Sequence, residues 1–140
     1  MKRKIVVFLS LLFMFVFCGC GQSFGASQTK YSVTSNEGVV AIAVEDAQDA
    51  KVFLDVMKLA QTEEKLTFTE SNGMIMSING KENAADWSAS WMLYTSDKEM
   101  STTEYGTYEY EGQTLGGATL GAGALPVVDR EIYVWVYVTF

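Results

Sequence analysis

The sequence predicts an α+β fold in which a single helix packs on a mixed sheet, and three observations carry that prediction. One stretch, Asp49 to Gln61, spaces its apolar residues as a helix does. Several short β-branched or alternating runs are separated by turn dipeptides, and the last of them, Ile132 to Phe140, is almost unbroken β-former. With 140 residues, 49% of them apolar, the chain can bury one sizeable core and not two, so a single domain is expected.

The chain opens with a positive cluster, Lys2-Arg3-Lys4, followed by an apolar run from Ile5 to Phe17 broken by Ser10 alone. That run has the length of an export-signal core and is too short for a bilayer span. It ends in Phe17-Cys18-Gly19-Cys20, which resembles a lipobox: a large apolar residue three before the modified cysteine and a small one immediately before it. Residues 1–19 are therefore expected to be a lipoprotein signal peptide, and Cys20 to be acylated, becoming the membrane anchor of a domain outside the cytoplasm. Cys18 is the rival position, ranked lower because Gly19 directly precedes Cys20. The competing readings are an uncleaved N-terminal anchor helix, or a Cys18/Cys20 pair acting as redox or metal ligands, and two cysteines one residue apart suit neither of the latter roles.

From residue 20 to 35 the chain is rich in Gly, Ser, Thr and Gln, the composition of a flexible tether, although Tyr31-Ser32-Val33 at its end has strand character. The folded domain is expected over residues 36–140. Val39 to Val44 reads as a buried strand stopped by Glu45-Asp46. The helix follows, with Val52, Phe53, Val56, Met57, Leu59 and Ala60 on one face and Asp46 or Asp49 as its cap. Leu66 to Thr69 and Met74 to Ile78 form a hairpin across Asn72-Gly73, a dipeptide suited to left-handed turn conformations. After a second turn at Asn79-Gly80, Lys81 to Ser88 reads as polar loop and Trp91 to Tyr94 as a strand. Ser96 to Gly123 reads as a long excursion with one short strand near Tyr105 to Tyr110.

The stretches Gly73 to Gly80, Asp86, Trp91 to Tyr94, Leu125-Pro126-Val127 with Asp129, and Ile132 to Tyr137 together resemble the family that includes the C-terminal domain of transcobalamin and intrinsic factor. The resemblance runs from about Val39 to Val138 and rests on turn and core residues. It implies a β-grasp-like architecture and one wall of a corrinoid site, so cobalamin or a related corrinoid is the ligand it suggests. Two positions depart from the family pattern: Thr95-Ser96-Asp97 stands where an Asn-Gly turn is usual, and Arg130 follows Asp129 where glycine is usual.

Composition removes several functions. Of the 10 Lys and Arg, Lys2, Arg3 and Lys4 precede the cleavage point, so the processed chain carries 7 against 17 acidic residues, a formal charge of −10. A surface this acidic repels nucleic acid and anionic headgroups. The chain has no histidine, and no free thiol remains once Cys20 is acylated, so imidazole bases, thiolate nucleophiles and ordinary zinc sets are missing. Glu63 with Glu64, or Glu109 with Glu111, are formal carboxylate pairs for glycosidase chemistry, but adjacent charges on polar stretches are more often solvation charges. Glu45-Asp46 with Asp49, or Glu82 with Asp86, could hold Ca²⁺, and no calcium-loop spacing accompanies them. Gly116 to Gly123 has neither a Walker lysine nor dinucleotide-loop spacing, which leaves a flexible loop or a strand lying close to a neighbour.

The remaining hint is aromatic. Trp87 stands in a polar loop without periodic apolar partners, and Tyr105, Tyr108 and Tyr110 lie in the long excursion; rigid amphipathic side chains there suit either ligand recognition or pinning of the loop. The sequence thus points away from an enzyme and toward an anchored binding module that uses these four residues, with a corrinoid, a transporter or a surface protein as partner. The alternative is a structural or adhesive domain that contacts protein or cell-wall polymer without a small-molecule site.

Overall fold

The computed structural model describes residues 28–140. The expected signal peptide, Cys20 and the first part of the expected tether lie outside the described residues. Within them, the chain forms nine strands and one helix, a mostly β variety of α+β fold. Every strand pair is antiparallel, so the mixed sheet expected from sequence is replaced by two antiparallel ones.

The larger sheet contains β1 (Lys30–Asn36), β2 (Val39–Asp46), β6 (Ala89–Thr95), β7 (Ser101–Tyr110), β8 (Gln113–Ala118) and β9 (Ile132–Thr139), in the order β1-β2-β9-β6-β8-β7. The smaller contains β3 (Phe68–Ser71), β4 (Met74–Ile78) and β5 (Lys81–Glu82) in sequence order. Strand β1 begins at Lys30 and pairs with β2 along its length, so ordered sheet starts inside the stretch whose composition suggested a tether.

Alternation explains why the central strands read as continuous apolar runs. Val40, Ile42 and Val44 of β2, Trp91 and Leu93 of β6, and Tyr133 and Trp135 of β9 point to one face. Ala41, Tyr94, Leu115 and Val134 point to the other and form a second, smaller cluster. Both faces are covered, and a strand buried on both sides has no polar side to show. The helix α1 (Phe53–Thr62) covers the first face with Phe53, Leu54, Val56, Met57 and Ala60. Phe53 stacks on Tyr133 with ring centroids 4.5 Å apart, and the Trp135 indole N–H points at the Met57 sulfur at 3.4 Å. The second face is covered by the sheet's own edge: Tyr108 and Tyr110, on the last strand of the order, pack against this cluster.

The helix starts later than the spacing suggested, and neither Asp46 nor Asp49 caps it. Asp55 reaches back instead, its Oδ2 accepting from the N–H groups of Lys51 and Val52 at 3.0 and 3.1 Å. Phe53 and Leu54 donate their N–H groups to the carbonyls of Leu125 and Ala122 at 2.8 and 2.9 Å. A strap running from Thr119 to Leu125 therefore satisfies the helix start that a side-chain cap would otherwise serve.

The long excursion is the largest departure from expectation, because it is mostly a hairpin. Strand β7 is an edge strand, largely exposed and polar, and β8 returns beside it through Glu111-Gly112, whose φ values are 48° and 78°. Between Thr102 and Thr107 the ladder slips and β7 bulges outward.

Candidate functional site

The bulge, the strap and the smaller sheet surround one groove of about 930 Å³. Its floor exists because β6 pairs with β9 from Ala89 to Thr95 but meets β8 only at Tyr94 and Thr95. Ser90 to Leu93 thereby line the groove without a β8 partner, and Ile75, Ala118 and the buried Trp135 complete an apolar interior. Side-chain hydrogen bonds hold the walls apart at fixed distance. Asn83 accepts from the Trp91 N–H through Oδ1 at 2.8 Å and donates through Nδ2 to the Ile75 carbonyl at 2.9 Å, while the Trp91 indole N–H donates to the Lys81 carbonyl at 2.8 Å.

Glycines set how closely the walls approach. A Cβ on Gly117 would lie 2.7 Å from the Tyr105 Cβ, and one on Gly123 would lie 2.9 Å from the Gly73 Cα. The first contact seats the β7 bulge on β8; the second seats the Asn72-Gly73 turn on the strap. The glycine-rich stretch is thus close packing of backbone on backbone, one of the two readings its spacing left open.

The mouth is rimmed by Met74, Trp87, Tyr105 and Leu120, four of the six large apolar side chains that are exposed among the described residues. They come from β4, the β5–β6 loop, the β7 bulge and the strap. Trp87 is half exposed and has φ of 61°, a conformation that bulky residues rarely adopt. Its loop is fastened on both sides: the Trp87 N–H donates to the Ala84 carbonyl at 2.9 Å, and Asp86 Oδ1 accepts from the Ser88 N–H and hydroxyl at 3.0 and 2.6 Å. The Ser88 bonds, the hydroxyl's first, hold the Asp86 carboxyl below the usual carboxylate range.

Of the four aromatic residues singled out from sequence, the structure brings Trp87 and Tyr105 to the groove and separates Tyr108 and Tyr110 from it. Tyr108 tilts against Tyr94 at 5.8 Å on the opposite face of the sheet, and Tyr110 belongs to the same cluster. These two pin the hairpin, because side chains on one strand alternate between faces. Sequence reading missed Met74 and Leu120. Leu120 carried a signal, being a lone large apolar residue within a run of Gly, Ala and Thr.

The ionisable groups considered for other chemistry lie elsewhere. Glu63 is bound by the Tyr31 hydroxyl at 2.6 Å and by Lys65 at 2.7 Å, and Glu109 accepts from Thr114; neither lines the groove. Asp46 accepts from Gln48, and among the described residues no group of three or more acidic, His or Cys side chains is placed to hold a metal ion. Glu70 is the one acidic side chain lining the groove, its Oε2 accepting from the Gly73 N–H at 2.8 Å. Among the described residues no helix is long and apolar enough to cross a membrane.

The fold and groove together define residues 28–140 as a small β-rich α+β domain with a rimmed cleft. Compared with protein-family models, curated proteins and solved structures, the chain finds no match in any of the three.

Proposed function

We propose that this chain is a binding module that captures a small, largely apolar ligand in the groove, held at the outer face of the cell membrane by a lipid on Cys20. One observation carries the proposal: four exposed apolar side chains from four separate segments converge on the mouth of a single cleft. Contiguous exposed apolar surface is costly in water and marks contact sites. The cleft's volume of about 930 Å³ falls within the roughly 300–1,000 Å³ common for ligand pockets. The strained Trp87 fits the same reading, since a costly backbone conformation at a rim persists where it serves recognition. The order of charged, apolar and small residues ahead of Cys20 supports the anchor, and tethering would raise the local concentration of the module near a transporter or surface partner.

The particular ligand and the finer fold rest on the resemblance to the transcobalamin C-terminal domain. On that basis the architecture is read as β-grasp-like and the ligand as a corrinoid, whose flat ring would stack on Trp87 and Tyr105. Calorimetric titration of the domain with cobalamin and with cobinamide tests this. Saturable binding that weakens in Trp87→Ala supports corrinoid capture through the groove; absence of heat with both ligands removes the corrinoid and leaves the cleft to another small molecule. Membrane fractionation of Cys20→Ala tests the anchor, which predicts release of the variant into the soluble fraction.

A further inference from the structure

The charge around the groove is one-sided. Glu70 lines it, and no Lys or Arg does. Each of the two rim aromatics is preceded in the chain by a carboxylate, in Asp86-Trp87 and Glu104-Tyr105. Neither of these two carboxylates lines the groove: Asp86 is held by the Ser88 hydroxyl and N–H, and the Glu104 N–H bonds the Thr102 hydroxyl at 3.2 Å as the bulge begins, so both act on the groove only through the wider field. Lys81, the basic residue that opens the loop carrying Trp87, lies elsewhere: its ammonium sits 4.1 Å above the Tyr137 ring. The described chain carries 17 acidic side chains, so the long-range field has the same sign as the local one.

Aromatic faces carry negative potential, and a carboxylate lining the same groove, here Glu70, adds to it. We propose that the groove takes a small organic cation with an apolar or aromatic body, the positive group resting between Glu70 and the Trp87 and Tyr105 rings. The inference rests on reading the groove as a ligand site and adds the charge of what enters. An anionic amphiphile of equal apolar area would meet Glu70 with no countercharge in the lining.

Three probes that share one ring isolate the charge: naphthylmethyl-trimethylammonium, naphthalenemethanol and naphthalenesulfonate, each titrated calorimetrically into the intact domain. The cation is expected to bind about ten-fold more tightly than the alcohol, from cation–π and carboxylate attraction together, and the sulfonate more weakly than both. Glu70→Gln, which retains an oxygen for the Gly73 N–H, should shrink the cation's advantage about three-fold. Added salt should shrink it as well. Equal affinity for the three probes, or a preference for the sulfonate, overturns the charge assignment and leaves the groove as an apolar site. If none of the three binds, the ligand-groove reading falls and the charge assignment with it.

Discussion

Trp87 combines a backbone conformation that is costly to the fold with a ring exposed at the mouth of the groove. A left-handed backbone at a bulky residue costs on the order of 1–3 kcal/mol, and here only about half of the side chain is buried in exchange. Asn adopts that conformation readily. Trp87→Asn is therefore expected to melt at or above the wild-type temperature while losing ligand affinity; a clear fall in melting temperature would show that the indole is a structural clasp. Gly117 and Gly123 pose the opposite case, in which any side chain is too large. Gly123→Ala should cost about 1–3 kcal/mol in urea denaturation, because the added methyl meets the Gly73 backbone, which cannot swing aside. Arg130 stands where the resembled family has glycine and has φ of 67°, so it occupies a left-handed position despite its side chain. Arg130→Gly is expected to stabilise the domain slightly, by up to about 1 kcal/mol, since strain relief opposes the larger unfolded-state entropy of glycine.

At the scale of elements, the helix start is the part most exposed to a single change. Asp55→Ala removes the carboxylate that gathers the Lys51 and Val52 N–H groups and should cost about 0.5–2 kcal/mol, measurable as a shifted urea midpoint. The strands β2, β4, β6 and β9 were legible in the sequence because β-branched and aromatic runs bounded by turn dipeptides have few other uses. The β7–β8 hairpin was not. An exposed edge strand carries Thr, Glu and Gly on its open side, and that composition is the same as a loop's. Its best signal was Glu111-Gly112 between Tyr110 and Thr114-Leu115, a weaker cousin of the Asn-Gly turn. Missing the hairpin also misplaced the candidate site. Tyr105, Tyr108 and Tyr110 look alike on paper, and the bulge after Thr102 together with strand alternation sends the first to the groove and the others to the far face. Trp87 was legible as an outlier; the strap that faces it was not, because its contacts depend on glycine pairs far apart in sequence.

The whole molecule responds to alkali through its core. Burial pushes the Tyr133 hydroxyl up to about 12, against the pull of its bond from the Val128 N–H at 2.9 Å. In the unfolded chain the same group ionises near pH ~10. Its contribution to stability is complete below that value and is lost as pH rises from about 10 toward about 12, because only the unfolded state gives up the proton in that window. Tyr133→Phe should flatten this part of the pH–stability curve, at a cost of about 1 kcal/mol at neutral pH for the lost hydrogen bonds. The strap from Thr119 to Leu125 connects the groove to the helix: Leu120 to Ala124 line the groove, and the Ala122 and Leu125 carbonyls hold the first amides of α1. The Phe53 and Leu54 amide protons are held by the strap, so under the ligand role proposed above their hydrogen-exchange rates would report occupancy of the cleft. A bound guest that stills the strap would slow their exchange, giving a spectroscopic gauge of ligation that requires no label on the guest.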